Sequence, residues 1–146
     1  MFKKNGFSID TEIQINTKPE NIWAILEDFD NYPNWNPFIK MVKGEVKVGN
    51  KITVKVAPYG KKEMTFNPKV LKFEKNKEIS WIGNFIIPGL FDGEHKLVLI
   101  DNNNATTTFK QSEKFNGILV PLFKFENTRL GFEAMNKELK KVAENK

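Results

Sequence analysis

The sequence predicts an α+β domain, a seven-stranded curved antiparallel sheet wrapped around a long C-terminal helix, with one or two short helices after strand 1. Three observations carry this. Apolar and polar residues alternate through successive stretches of about ten residues, each closed by a turn signal, as in an antiparallel meander. From Phe125 onward the apolar period changes to three and four, the spacing of one amphipathic helix. A helix-start signature sits directly after the first strand. One sheet with a single long helix to cover it must curve around that helix to bury its apolar face.

Taken in order, Phe7, Ile9, Ile13 and Ile15 alternate with Ser8, Asp10, Glu12 and Gln14, with a slip near Thr11, giving the first strand. In "TKPENIWAILED", Thr17 and Glu20 have capping-box spacing and Pro19 suits an early helical position. A helix is therefore expected to about Asp28, with Ile22, Trp23, Ile25, Leu26 and Phe29 on its apolar face. Next come Ile39–Val48, then Ile52, Val54 and Val56 closed by "PYGKK". Met64, Phe66, Val70 and Phe73 read as one strand, with Pro68 marking an edge or bulge. Ile79, Trp81 and Phe85 follow, then His95, Leu97 and Leu99. The turn "DNNNA" leads into Thr107, Phe109, Gln111, Glu113 and Phe115. Phe125, Thr128, Phe132, Met135, Leu139 and Val142 mark the long helix, with Pro121 at or near its start.

The chain has 146 residues, the length of one domain, 1–146, and its 40% hydrophobic content with 13 Phe and 3 Trp is ample for a core. It has no cysteine, so disulfides and thiolate chemistry are excluded. No apolar run reaches the roughly 18 residues of a membrane span, and no signal-peptide core follows the basic start; the chain reads as cytoplasmic. The net charge of +5 suggests nucleic acid, but of the 23 basic residues only Arg129 is arginine. Bidentate readout of bases and phosphates favours Arg. The lysines alternate with apolar residues, as on the wet face of a sheet, and no specific nucleic-acid partner is expected.

"NYPNWNPFI" crowds Tyr32, Trp35 and Phe38 around Pro33 and Pro37, which forbid a regular helix or a central strand. Such an apolar loop either folds onto a core or covers something. Alternation also places polar groups inside. If Leu97 and Leu99 face inward, so does His95; if Phe109 and Phe115 do, so do Gln111 and Glu113. The turn can set Leu97 across from Phe109 and His95 across from Gln111. A bare carboxylate is not tolerated in a dry interior, so either the interior is wet or these groups bond one another. Two plainer readings stand beside this: His95 bonded to a backbone carbonyl, and Glu113 turned to water at a bulge. Lys61 and Lys62 read as a solvated hairpin tip, and Met64 as core filler.

The element order, together with "IWAILEDFDNYPNWNPFI", "ISWIG", "FDGEHKLVL", "TFKQSEKFNG" and "GFEAMNKELKKVAE", resembles the polyketide cyclase/dehydrase-like branch of the START-related (helix-grip, SRPBCC) superfamily over residues 7–145. The resemblance implies a cavity between the concave face of the sheet and the long helix, capped by Asp30–Ile39. Trp35 and Phe38 then form its rim, or else plug one end of a solid core. The candidate ligand-binding residues are Trp35, Phe38, Trp81, Phe91, His95, Leu97, Phe109, Gln111, Glu113, Phe115, Phe132 and Met135. The segment 83–93, with Gly83, Gly89 and Gly93, is either a gate or a fixed loop. One His and no Cys argue against a metal, and no phosphate or dinucleotide motif is present, so no cofactor is expected. The expected function is binding or carriage of a small hydrophobic or amphipathic ligand, lipid-like or aromatic. The alternatives are a cofactor-free cyclase/dehydratase using His95 and Glu113 as base or acid, or a module like the chaperone activators acting through its outer surface.

Overall fold

In the computed structural model, which describes residues 6–85, 91–120 and 124–145, strands β1 (Gly6–Ile15), β2 (Ile39–Lys43), β3 (Thr53–Val56), β4 (Met64–Phe66), β5 (Lys69–Glu74), β6 (Glu78–Phe85), β7 (Phe91–Asp101) and β8 (Thr107–Asn116) accompany three helices. Helices α1 (Pro19–Leu26) and α2 (Tyr32–Trp35) follow β1, joined by a 3-10 turn at Phe29–Asn31, and α3 (Glu126–Glu144) follows β8. The α+β plan is the expected one: a large antiparallel sheet, a long C-terminal helix and short helices after the first strand.

The strand count differs. Instead of seven strands in one sheet, five pair in the order β1-β8-β7-β6-β5 and three in the order β2-β3-β4. The cause lies at Pro68, which has no N–H to give a ladder. The stretch read as one strand from Met64 to Phe73 divides there into β4 and β5. The sheets remain adjacent, since Ile52 N–H donates to the Pro68 carbonyl at 2.9 Å and Val70 N–H to the Asn50 carbonyl at 2.9 Å. β2 also stops at Lys43, short of the expected Val48, because Gly44 takes φ +103° and turns the chain.

Three local expectations are corrected. β1 has no slip at Thr11: it pairs with β8 without interruption from Gly6 to Ile15, and Thr11 is a polar residue on the inner face. The Thr17/Glu20 capping box does not form, because Lys18 occupies the N-cap position with Pro19 directly after it. Thr17 Oγ1 accepts instead from Asn21 Nδ2 at 2.8 Å. In the β7–β8 hairpin, Leu97 lies across from Gln111 and His95 across from Glu113, two residues from the expected register. Asp101 pairs with Thr107, so "NNNAT" forms the turn. A slip of two preserves which residues face inward, because side chains alternate with period two.

Contrary to the expectation that its prolines forbid a regular helix, the aromatic stretch makes a single helical turn, with Pro33 in its first turn, where the missing N–H has no partner to lose. Tyr32 is buried and its hydroxyl donates to the Leu26 carbonyl, tying α2 to the end of α1. Burial, with the Asp28 charge adding to it, pushes the Tyr32 phenol far above its ordinary range, so it stays a neutral donor. The Asn36 side-chain oxygen accepts from Phe38 N–H at 2.9 Å and Ile39 N–H at 2.8 Å, turning the chain into β2.

On α3 the buried face is Gly131, Phe132, Met135, Asn136, Leu139 and Ala143. The helix begins at Glu126; Pro121 and residues 86–90 lie outside the described residues. Within 83–93, Gly83 pairs with Gly93 and Phe85 with Phe91, so both ends of that expected loop are sheet. Gly131 is a notch rather than a flexible point. A Cβ there would meet Phe38 Cδ1 at 2.5 Å, and the Phe38 ring stands edge-on to Phe132 at 5.1 Å.

Ala is normally the better helix former by about 1 kcal/mol. At this position Gly131→Ala is expected instead to destabilise the domain by about 1–3 kcal/mol through overpacking. A urea unfolding midpoint that stays level or rises would refute the notch.

Candidate functional site

A cavity of about 540 Å³ opens between the β2-β3-β4 sheet, the Phe91 end of β7 and β8, and the start of α3. Val56, Pro58, Met64 and Phe66 form one wall, and Phe91, His95, Glu113 and Phe115 the facing one. Phe38 and Leu119 contribute further apolar surface, and Phe125, Asn127 and Thr128 close the helix side. Lys61, Lys62 and Lys124 complete the lining and are exposed, so they stand at the opening. The aromatic wall is tightly arranged: Phe115 stacks on Phe125 at 4.3 Å, and Phe91 lies 5.6 Å from Phe115.

Of the candidates drawn from the sequence, Phe38, Phe91, His95, Glu113 and Phe115 meet in this lining. The others do not. Trp81, Leu97, Phe109, Phe132 and Met135 are buried in the packed half of the interior. Trp35 packs edge-on to Tyr32 at 5.4 Å, away from the cavity. Gln111 is fully buried behind His95. Lys61 and Lys62 are exposed, as a solvated hairpin tip should be, and also line the opening; Met64 is no core filler, being half exposed at the same cavity. The two lysines lie on the loop before β4, where no periodic pattern exists to reveal which side faces the cavity.

His95 and Glu113 sit opposite one another on β7 and β8. His95 Nδ1 lies 3.3 Å from Glu113 Oε1, with side chains 4% and 12% exposed. Glu113 is not at a bulge, since β8 pairs continuously with both neighbours. Its carboxylate fits because residue 93 is glycine; a Cβ there would overlap Glu113 Oε2. The imidazole is enclosed by Phe132 at 4.9 Å, Trp81 at 5.5 Å and Phe38 at 6.2 Å.

Behind the imidazole runs a chain of hydrogen bonds whose direction is set at its far end. Thr11 Oγ1 donates to the Gln111 main-chain carbonyl at 2.7 Å, so its oxygen is free to accept from Asn136 Nδ2 at 2.9 Å. Asn136 Oδ1 then accepts from Gln111 Nε2 at 2.9 Å, and that amide also faces the Phe132 carbonyl at 3.4 Å. Gln111 Oε1 is left as an acceptor, 2.9 Å from His95 Nε2. An amide oxygen only accepts, so His95 Nε2 carries a proton. Nδ1 consequently faces the carboxylate either as a donor or as a bare lone pair. The contact is attractive only when a proton lies between Nδ1 and Oε1. The polar interior residues thus bond one another, and at the cavity wall an imidazole and a carboxylate, two groups able to give or take a proton, face one another at 3.3 Å. Among the described residues, no three His, Cys, Asp or Glu side chains gather as metal ligands.

Two measurements check this relay. Nitrogen NMR of His95 is expected to show Nε2 protonated at every pH where the domain is folded; a lone pair on Nε2 would reverse the assignment. Gln111→Leu leaves His95 Nε2–H and Asn136 Oδ1 without partners. About 1–3 kcal/mol of stability should be lost for each unsatisfied group, measured by urea unfolding.

Residues 6–145 match the family model described as polyketide cyclase / dehydrase and lipid transport. No curated protein sequence matches the chain. Among solved structures, the CV1439 protein of Chromobacterium violaceum is similar at a TM-score of 0.73 and 17% identity, covering 94% of this chain and 96% of that one. A norcoclaurine synthase from Thalictrum flavum gives 0.68 and 13%, covering 98% and 97%. A Staphylococcus aureus protein of unknown function gives 0.69 and 13%, covering 98% and 96%. At these identities the structures share the fold, and the family match spans nearly the whole chain: it belongs to the polyketide cyclase/dehydrase and lipid transport family of the START-related, helix-grip superfamily.

Proposed function

We propose that the chain is a binding or carrier protein for a small hydrophobic or amphipathic molecule held in the cavity between the two sheets and the start of α3. The observation that carries this is the cavity itself, about 540 Å³ and walled mainly by aliphatic and aromatic side chains. That volume lies within the range of small-molecule sites, and few convergent polar groups on apolar walls is their usual make-up. Family membership supports the same reading. No helix among the described residues is long and apolar enough to cross a membrane, so the cavity is the feature through which an apolar molecule would be handled.

A second reading has its own observation, the imidazole of His95 and the carboxylate of Glu113 facing one another at 3.3 Å on the cavity wall. It supports a cofactor-free enzyme that moves a proton on a bound carbonyl compound, as a cyclase or dehydratase does. The Thalictrum flavum synthase of the same fold has been seen with dopamine and hydroxybenzaldehyde. The wall's imidazole and carboxylate would have to do here whatever acid–base work such a reaction needs.

The deciding experiment compares wild type with Leu119→Trp, which fills the cavity from a half-buried position, and with Glu113→Gln. The carrier reading expects stoichiometric uptake of a neutral fluorescent apolar probe, weakened at least about tenfold by Leu119→Trp, a loss of roughly 1.4 kcal/mol or more. Equal binding by both proteins would remove the cavity from the function. Under the enzyme reading, Glu113→Gln abolishes a pH-dependent turnover while probe affinity is retained. A carrier shows altered affinity and no turnover to lose.

A further inference from the structure

The charges around the cavity are arranged asymmetrically, and from them we infer the class of ligand: an amphiphile with an anionic head, bound with the head at Lys61, Lys62 and Lys124 and the apolar body against the aromatic wall. This rests on the proposed use of the cavity and adds what the cavity selects.

Lys61 and Lys62 come from the β3–β4 loop and Lys124 from the segment entering α3. Two parts of the chain far apart in sequence therefore bring ammonium groups to one opening. The loop is held there by a main-chain bond, Tyr59 N–H to the Asn127 carbonyl at 3.1 Å. Among the described residues, none of the three lysines has an ion-pair partner. Most lysines elsewhere among the described residues, Lys43, Lys47 and Lys75 included, are likewise unpaired; what sets these three apart is that they line one cavity.

The only carboxylate in the described lining is Glu113, on the opposite wall and engaged with His95. A ligand anion pushed inward would approach that carboxylate and leave three cations behind. A head held at the opening keeps its hydration and gains all three. The body then lies along Phe91, Phe115 and Phe125, packed with ring centroids 4.3 to 6.1 Å apart on the side of the cavity that also carries His95 and Glu113. A cationic amphiphile meets repulsion where an anionic one meets attraction. A neutral one gains only the apolar walls.

The test displaces a neutral fluorescent probe with single-chain amphiphiles below their micelle concentrations: dodecanoate, dodecyl phosphate, dodecanol and dodecyltrimethylammonium. The two anions are expected to bind on the order of tenfold tighter than dodecanol, with the preference shrinking as salt rises and the cation binding weakest. Replacing Lys61, Lys62 and Lys124 together by Gln should bring the anions level with dodecanol and so erase the preference. The same charge removed elsewhere, by Gln at Lys43, Lys47 and Lys75, should leave the preference intact.

Equal binding of dodecanol and dodecanoate, or a preference that survives loss of the three cavity lysines, overturns the inference while the carrier reading stands. Failure of every amphiphile to displace a bound probe likewise overturns the inference, whereas failure of the probe itself to bind overturns the carrier reading. The anionic head could belong to a free single-chain amphiphile or to a membrane phospholipid. Incubation with vesicles of equal phosphatidylglycerol and phosphatidylcholine, followed by mass analysis of what stays bound, separates them. Phosphatidylglycerol recovered identifies the membrane source, and dodecanoate binding with no phospholipid recovered identifies the free one. Equal recovery of both phospholipids contradicts selection by charge.

Discussion

The interior is organised by one buried polar chain, from the Thr11 hydroxyl through Asn136 and Gln111 to His95. It joins β1, α3, β8 and β7, so it ties the long helix to the three strands beneath it. Each member is satisfied only if the others hold their positions, and an unpaired buried amide or imidazole is costly. The chain therefore sets the rotation and register of α3 on the sheet more strictly than apolar contacts alone, which tolerate sliding. It also divides the interior. On one side Leu97, Phe109, Met135 and Leu139 fill the space; on the other lies the cavity.

The division explains why a protein with so many aromatics is not simply solid. Its largest side chains are committed elsewhere: Trp81 and Phe132 enclose the imidazole, and Trp23 packs with Phe73 at 5.3 Å under α1. The break at Pro68 adds to this. Because β4 and β5 do not continue as one strand, the β2-β3-β4 sheet turns its Val56, Met64 and Phe66 face toward β7 and β8 across an open space. Two glycines adjust the fit, Gly131 admitting the Phe38 ring and Gly93 admitting the Glu113 carboxylate.

Chemically the cavity has two ends of different character. Its wall holds a facing imidazole and carboxylate whose outward partner is the ligand space. Its opening holds unmatched cations. A family that includes cyclases and lipid carriers on one scaffold needs only such local changes to alter what is bound and whether it reacts, since the fold supplies the hollow and the lining side chains supply the chemistry.

Much of this was determined by the sequence alone. Period-two alternation named the inward faces of β1, β7 and β8 correctly, including His95, Gln111 and Glu113, because pleated backbone leaves a side chain only two directions. The apolar spacing of Phe132, Met135 and Leu139 likewise identified the buried face of α3. The tertiary structure decided what periodicity does not carry. The pairing offset of β7 against β8 was invisible, since a shift of two residues leaves every face unchanged. So was the division into two sheets, because Pro68 is compatible with either a bulge or a break until neighbouring strands compete for the backbone. The partners of the buried polar groups lie on elements as far apart as Thr11 and Asn136, and the cavity lysines lie on irregular segments. Their roles depend on through-space neighbours, and only the folded chain brings those together.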